Sequence, residues 1–427
     1  MSKSKRLPVL LPSPSGQRWS CQSCGKCCRA LVIHLGEEDR RKIDRQGWQR
    51  KLGTDPYVDA GGAWVIPKTP SGDCVFLDKD NRCRIHTEFG EQSKPLACRI
   101  FPFSVRPVPR GWQGSLRFDC PSMTASTGQP IREYEPWLVE LANELPYHVA
   151  ADEEAVDLQK GVRATREEIN LLTDSLATWF AGGELSVWDR LIGAAKLTQT
   201  FFAAKLTALR GERFGELLDL LVSALPADRG TPLPEASSKQ RGMLRQLVFA
   251  HAEHVSVYDL RSGMIGRLRK QFEQLGKARR FLKGKGLVPV TPGSGGETTF
   301  ELVEAVKPDA ATNEDVEDLL LRYVSARLEG QGVFGNGYYG WPVFEGLAAL
   351  WLAIASAGWL ARCSAAGDQR HLLNIYDVHK GLGIVDRAAT RLPSLGTSAE
   401  RLRLKYVLIG GGAVGLLADY LPMVDNS

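Results

Sequence analysis

Beyond about residue 130, apolar and polar positions alternate in the rhythm of helices. Thr165 and Glu168 have the spacing of a capping box, Gly182 and Gly183 supply a stop, and Ser186 with Asp189 supplies the next start. Trp188, Ile192, Ala195, Phe202, Leu206 and Leu209 then recur at helical spacing, which predicts one apolar stripe against a core rather than a cofactor contact. Residues 346–361, GLAALWLAIASAGWLA, run sixteen positions without a charge. A helix that spans a bilayer needs about 20, so a buried core helix is expected. Helical patterning continues from about Asn313 to Leu421. Two breaks interrupt it, LPADRGTPLPEASS from Leu225 and KGKGLVPVTPGSGGETT from Lys283, and the second is richer in Gly and Pro and so the better linker. No repeat of fixed period is present, which excludes a solenoid.

The front of the chain has another texture. Short apolar runs such as CVFLD and CRIFPFSV alternate with Gly and Pro, and only GEEDRRKIDRQGWQRKL has helical periodicity, which predicts one short helix near residues 37–52. The expected fold is mainly α, with a small loop-rich cysteine and metal-cluster domain at the N-terminus followed by a large helical region. The segments expected are an extended piece at 1–15, the cysteine domain at 16–125, a helical region at 126–284, a linker at 285–312 and a C-terminal helical region at 313–427.

Composition changes this picture little. The 427 residues allow two to four domains at about 150 residues each. Hydrophobic residues at 43% and charged residues at 24% exclude wholesale disorder and fibrous repeats. Charge is uneven, however. Residues 1–120 hold 21 Lys and Arg against 12 Asp and Glu, and the remainder 33 against 37, so the front is +9 and the rest −4. Metal-bound thiolates, each negative, account for that local excess of cations. The opening MSKSKRLPVLLPSPSG is broken by Pro8, Pro12 and Pro14 and lacks the apolar run of about 7–15 residues of a secretory signal. A cytoplasmic location is therefore expected, in which thiols stay reduced and metal binding is their leading use.

Eight of the nine cysteines fall between Cys21 and Cys120. In CQSCGKCC, Cys21, Cys24 and Cys27 have the spacing that lets a tight turn aim thiols at one centre. Cys28 follows directly, and adjacent side chains of an extended or turning backbone point different ways, so Cys27 and Cys28 either serve two centres or one is buried in the core. Cys74, Cys83, Cys98 and Cys120 complete a set of eight. Four thiolates saturate a zinc ion or hold an iron–sulfur cluster, so eight suffice for two sites. The Cys120-Pro121 pair and the apolar setting of Cys98 in ACRIFPF lean toward iron–sulfur chemistry.

Three blocks, CQSCGKCCRALVIHL, GDCVFLDKDNRCRIH and KPLACRIFPF, together resemble the CxxCxxCC cysteine-cluster family, a YkgJ-like zinc- or iron-chelating domain, over about residues 20–104. The resemblance implies metal or iron–sulfur binding, [4Fe-4S] or zinc, by Cys21, Cys24, Cys27, Cys28, Cys74, Cys83 and Cys98, with Cys120 beyond the best-matching blocks. His86 stands where the family commonly has Tyr, three residues after Cys83, a workable spacing for a Cys3His zinc site. Longer members are similar to flagellin lysine N-methylase, which would imply S-adenosylmethionine as cofactor and a protein lysine as substrate. No residue motif beyond the cysteines carries that implication.

Other motifs are weaker. Gly410, Gly412 and Gly415 in YVLIGGGAVGLL imitate a dinucleotide fingerprint, but only twelve residues follow Gly415, too few for a βαβ unit. A small-residue helix packed on its neighbours is expected there. His251 and His254 share a helical spacing without a third ligand, His371 and His379 are isolated, and the basic stretch 266–286 reads as a solvated helix face. Neither nucleic acid nor a membrane is expected as a partner.

Overall fold

The computed structural model describes residues 7–12, 16–109, 111–145, 155–228, 231–253, 256–261, 263–290, 296–389 and 391–425. They divide into two compact units. The first takes in the described residues within Met1–Leu11, Gly16–Ala150 and His254–Leu275, and the second those within Pro12–Ser15, Ala151–Glu253 and Gly276–Ser427.

The first unit is built of short strands, short helices and loops. Phe103–Val108 and Gly111–Leu116 form an antiparallel pair, with Phe103 opposite Leu116, and Val9–Leu10 adds a parallel edge beside Trp112. The helix expected near 37–52 is two, Glu37–Arg45 and Trp48–Leu52, because Gly47 between them has φ 68°, outside the helical region. Three acidic residues, Glu37, Glu38 and Asp39, fill the first turn of the former, where the helix dipole favours negative charge. Their buried side, Ile43 with Trp48, packs onto Ile33, Leu35, Ile66, Phe76 and Ile85. Phe76 meets Trp48 edge to face at 5.1 Å.

The second unit is helical, so the chain is mainly α with a small loop-rich front, as its patterning predicts. Its centre is Val343–Gly367, which contains the uncharged run and is buried along its length. Ile375–Ala388, Gly412–Tyr420, Val187–Ala203 and Ser238–Ala252 pack around it. The approach is close. A Cβ on Gly358 would overlap the Tyr420 carbonyl, and one on Gly381 the Ala357 carbonyl.

The cap signals hold. The Thr165 hydroxyl accepts the Glu168 amide, Ser186 accepts the Asp189 amide, and Gly182 ends Arg166–Ala181. The predicted stripe is offset. Val187–Ala203 buries Val187, Leu191, Ala194, Thr198 and Phe201 as well as Ile192 and Ala195, while Trp188 and Phe202 are only half-buried, and Leu206 belongs to a separate turn. A helix enclosed on several sides has no single stripe to read. YVLIGGGAVGLL contains no strand. Tyr406 and Leu408 close Ser398–Leu408, Gly410 and Gly411 turn the chain at φ 64° and 82°, and Gly412–Tyr420 follows, packed on its neighbours as expected. Within 285–312 lie the helix Phe300–Ala305, with Phe300 and Val303 buried, and the turn Ala310–Thr312. Residues 291–295 of the expected linker and residues 1–6 and 13–15 of the expected N-terminal segment lie outside the described residues.

Glu168 does more than cap. Its carboxylate is fully buried, and there Arg210 Nε and Nη2 donate to it at 2.8 and 2.7 Å and the Gly211 amide at 2.9 Å. Burial alone would raise its pKa, but these donors and the Thr165 amide win and hold it down to about 2. Replacing Arg210 with Met leaves the charge buried without its partner, and a loss of about 3–5 kcal/mol is expected in denaturant unfolding. Because the folded-state pKa is depressed, the stabilisation is complete above the unfolded value and is lost as pH falls from about 5 toward 2. The Met variant is expected to lack that portion of the acid transition.

Candidate metal centre

Four chain segments deliver the cysteines. The first is CQSCGKCC. Ser23 and Gly25 both have positive φ, 50° and 67°, which turns the chain sharply into the short helix Lys26–Ala30 that carries Cys27 and Cys28. Gly25 is required there twice over, because a Cβ would also lie 2.5 Å from the Arg29 guanidinium. Arg29 ties the turn to the next cysteine segment. It donates to the Cys24 carbonyl at 3.3 Å and to Asn81 Oδ1 at 2.6 Å, and pairs with Asp73 at 2.7 Å. Asp73 precedes Cys74, and Asn81 lies two residues before Cys83. Gly25→Ala is expected to cost roughly 1–2 kcal/mol from the left-handed backbone alone, read as a lowered denaturant midpoint of the metal-free protein.

The second segment is the loop from Cys74 to Cys83. The Leu77 amide donates to the Cys74 carbonyl at 2.9 Å, Asp78 Oδ1 accepts the Asp80 and Arg82 amides at 2.9 and 2.7 Å, and the Arg84 amide reaches the Phe76 carbonyl at 2.8 Å. This folds the loop back so that Cys83 caps Arg84–Phe89. The third segment is Leu96–Ile100, which carries Cys98. Asp39 Oδ1 accepts the Leu96 amide at 3.0 Å, and buried Arg99 forks onto Glu144 at 2.6 and 2.7 Å. The fourth is Cys120, which is buried and caps Pro121–Thr124.

Cys28, Cys74, Cys83 and Cys98 pack against one apolar core, the cluster that contains Ile43, Trp48 and Phe76. Cys27 and Cys28 do not diverge as expected for an extended or turning backbone. Consecutive on a helical turn, their sulfurs lie 4.0 Å apart, close to the ~3.8 Å that two sulfurs adopt on one tetrahedral ion with bonds of about 2.3 Å. Cys120 lies within electrostatic reach of Cys27. Cys21 and Cys24 are exposed. All nine cysteines are free thiols, and among the described residues no three Cys, His, Asp or Glu side chains stand close enough together to enclose an ion.

The thiols are not equivalent. The hydrogen bond between the Cys27 and Cys28 sulfurs, with the Cys28 amide and Lys94, outweighs burial and lowers the pKa of Cys27. Cys28 is raised correspondingly, by that hydrogen bond, by burial and by the nearby Cys27, Cys74 and Cys98. Burial pushes Cys74 and Cys120 up to about 11 and raises Cys98 as well. This donor set fits a thiophilic metal. A bound ion or cluster would replace the thiol protons and supply the positive charge that buried thiolates need.

Sequence reasoning missed two cations here. Lys68 donates its ammonium to the Cys28 carbonyl, and Arg29 clamps two cysteine loops together. Neither has a spacing signature, since both act across long sequence separations. The histidines stand apart. His86 is exposed, His251 is buried with a pKa lowered to about 3 by burial, His371 is exposed, His379 is half-buried, and His254 lies outside the described residues. The basic stretch forms the helix Met264–Lys283, on which Phe272 is exposed and Phe281 is buried against Phe249 and Phe300 rather than solvated.

Residues 20–123 match the model of the CxxCxxCC family, described as "Putative zinc- or iron-chelating domain". An uncharacterized protein of Methanocaldococcus jannaschii is 35% identical over 91 residues, 21% of this chain and 30% of that protein. The chain thus spans about 30% of the length of the curated relative it matches. No solved structure matches it. The three cysteine blocks and the apolar core that gathers Cys28, Cys74, Cys83 and Cys98 agree with that match, and residues 20–123 carry the CxxCxxCC family pattern.

Proposed function

We propose that this protein is a cytoplasmic metalloprotein whose N-terminal domain holds its metal through cysteine thiolates. Cys27, Cys28, Cys74, Cys83 and Cys98 form the inner ligand set, and Cys21, Cys24 and Cys120 the outer one. One observation carries the reading: three separate chain segments bring Cys28, Cys74, Cys83 and Cys98 onto a single apolar core, and the Cys27 sulfur lies 4.0 Å from that of Cys28. A structural role fits that placement, because an ion bound there ties together three separate chain segments, and its binding free energy becomes folding free energy. The apolar surroundings and the Cys120-Pro121 pair support an iron–sulfur cluster, and the 4.0 Å sulfur spacing of Cys27 and Cys28 supports a single zinc ion.

Metal and acid-labile sulfide content, measured on protein purified without oxygen together with its visible spectrum, tests the proposal. Iron with equivalent sulfide and a broad brown absorption makes the centre a cluster, whereas a colourless protein with stoichiometric zinc makes it mononuclear. Protein with neither metal and all its thiols titratable would refute the proposal. Methylation of protein lysine by S-adenosylmethionine rests on the resemblance of longer members alone, and the geometry adds nothing to it.

A further inference from the structure

We infer that Lys68 is a positioning and charge-compensating residue of the metal centre, one that sets how tightly the inner thiolates hold a cation. The inference rests on the metal-binding reading above. Lys68 pairs with Cys74 across an isolated antiparallel bridge, which places it on the strand-like segment beside the second cysteine block. Its ammonium donates to the Cys28 carbonyl, and the Cys74 amide donates to the same oxygen at 3.1 Å. Cys28 O is one of the carbonyls that the short helix Lys26–Ala30 leaves without an internal partner. Lys68 and Cys74 thus fix the helix end that carries the Cys27 and Cys28 sulfurs. The ammonium also lies within electrostatic reach of Cys74, Cys28, Cys98 and Cys27.

Charge makes this placement consequential. Four thiolates around a divalent ion, or around a cluster of two positive charges, leave a dianion, and burying a net charge against an apolar core is costly unless a counter-charge accompanies it. Lys94 lies near Cys27 and Cys98 but is shared with Glu91 at 4.0 Å. Lys68 touches the carbonyl of an inner ligand, Cys28, whereas Arg29 touches that of the exposed Cys24.

The test titrates Co2+ into the full-length metal-free protein and follows the thiolate-to-cobalt absorption against a competing chelator. Lys68→Gln keeps a donor for the Cys28 carbonyl and removes the charge, whereas Lys68→Arg keeps both. Lys68→Gln is expected to weaken Co2+ binding by about 10–100-fold, the usual scale for groups that support metal ligands. Its absorption at saturation and the unfolding of its metal-free form are expected to match wild type, and Lys68→Arg is expected to bind within a few-fold of it. Lys68→Gln binding as tightly as wild type would overturn the inference, and so would Lys68→Arg binding as weakly as Lys68→Gln. The Arg result decides alone if the Gln protein does not fold. Failure of the wild-type protein to bind Co2+ at all would instead remove the metal-binding reading, and this inference with it.

Discussion

Replacing Cys74 or Cys98 with serine is expected to remove metal and stability together. Each side chain contributes to one apolar core and, in the proposed centre, to the same metal. Two costs must be separated. A serine hydroxyl in an apolar site without a partner costs roughly 1–3 kcal/mol whether or not metal is present. Loss of a thiolate adds to this, because structural zinc contributes on the order of 10–16 kcal/mol of binding free energy, which the folded state gains only through a complete ligand set. Cys363 supplies the matched control. It is 1% exposed within Val343–Gly367, and burial pushes its thiol up to about 12, so Cys363→Ser carries the packing cost without touching the centre. Metal content and chelator-sensitive unfolding are the readouts. Cys74→Ser and Cys98→Ser should lose both, and Cys363→Ser should keep both while unfolding slightly earlier. Equal behaviour of the three variants would mean that the cysteine domain is held by packing alone.

The contrast between these cysteines shows what could be read from the chain. Cap chemistry is local, so Thr165 with Glu168, Ser186 and Gly182 were legible within a few residues. The uncharged run 346–361 was legible as core because its length falls short of a bilayer span, although the helix that contains it extends further, from Val343 to Gly367. The eight clustered cysteines announced metal by number and spacing. What escaped the sequence was long-range. Nothing near Lys68 announces that its ammonium meets the Cys28 carbonyl forty residues away, and nothing near Arg29 announces Asn81. The antiparallel pair of Phe103–Val108 with Gly111–Leu116 was missed for another reason, since the alternation of Phe103, Ser104, Val105 and Arg106 is short, ends at Pro107 and is not matched in GWQGSL. The reading of Cys27 and Cys28 as divergent covered extended and turning backbone but not the short helix that Gly25 opens just before them, where the two sulfurs come within 4.0 Å.

Metal affinity is expected to rise steeply with pH, and the unequal thiols fix the shape of that rise. Metal displaces the protons that its ligands carry, so every thiol still protonated at the working pH adds about one decade of apparent affinity per pH unit. Cys27, lowered by its hydrogen bond with Cys28, contributes least. Cys28 and Cys98 are raised and Cys74 sits near 11, so all three remain protonated through pH 9. A centre that takes these four thiols releases at least about three protons between pH 7 and 9, or roughly a thousandfold in affinity per unit. Ordinary exposed thiols, with pKa near 8.5, would instead flatten the curve before pH 9. Calorimetry of zinc binding in two buffers of different ionisation enthalpy counts the protons directly. The count discriminates at about pH 9.5, where four ordinary thiols are mostly ionised and release less than about one proton in all, whereas the buried set still releases about three. Release of fewer than about two there would mean that the buried thiols are not the ligands, and would move the centre out to exposed Cys21 and Cys24 and their neighbours.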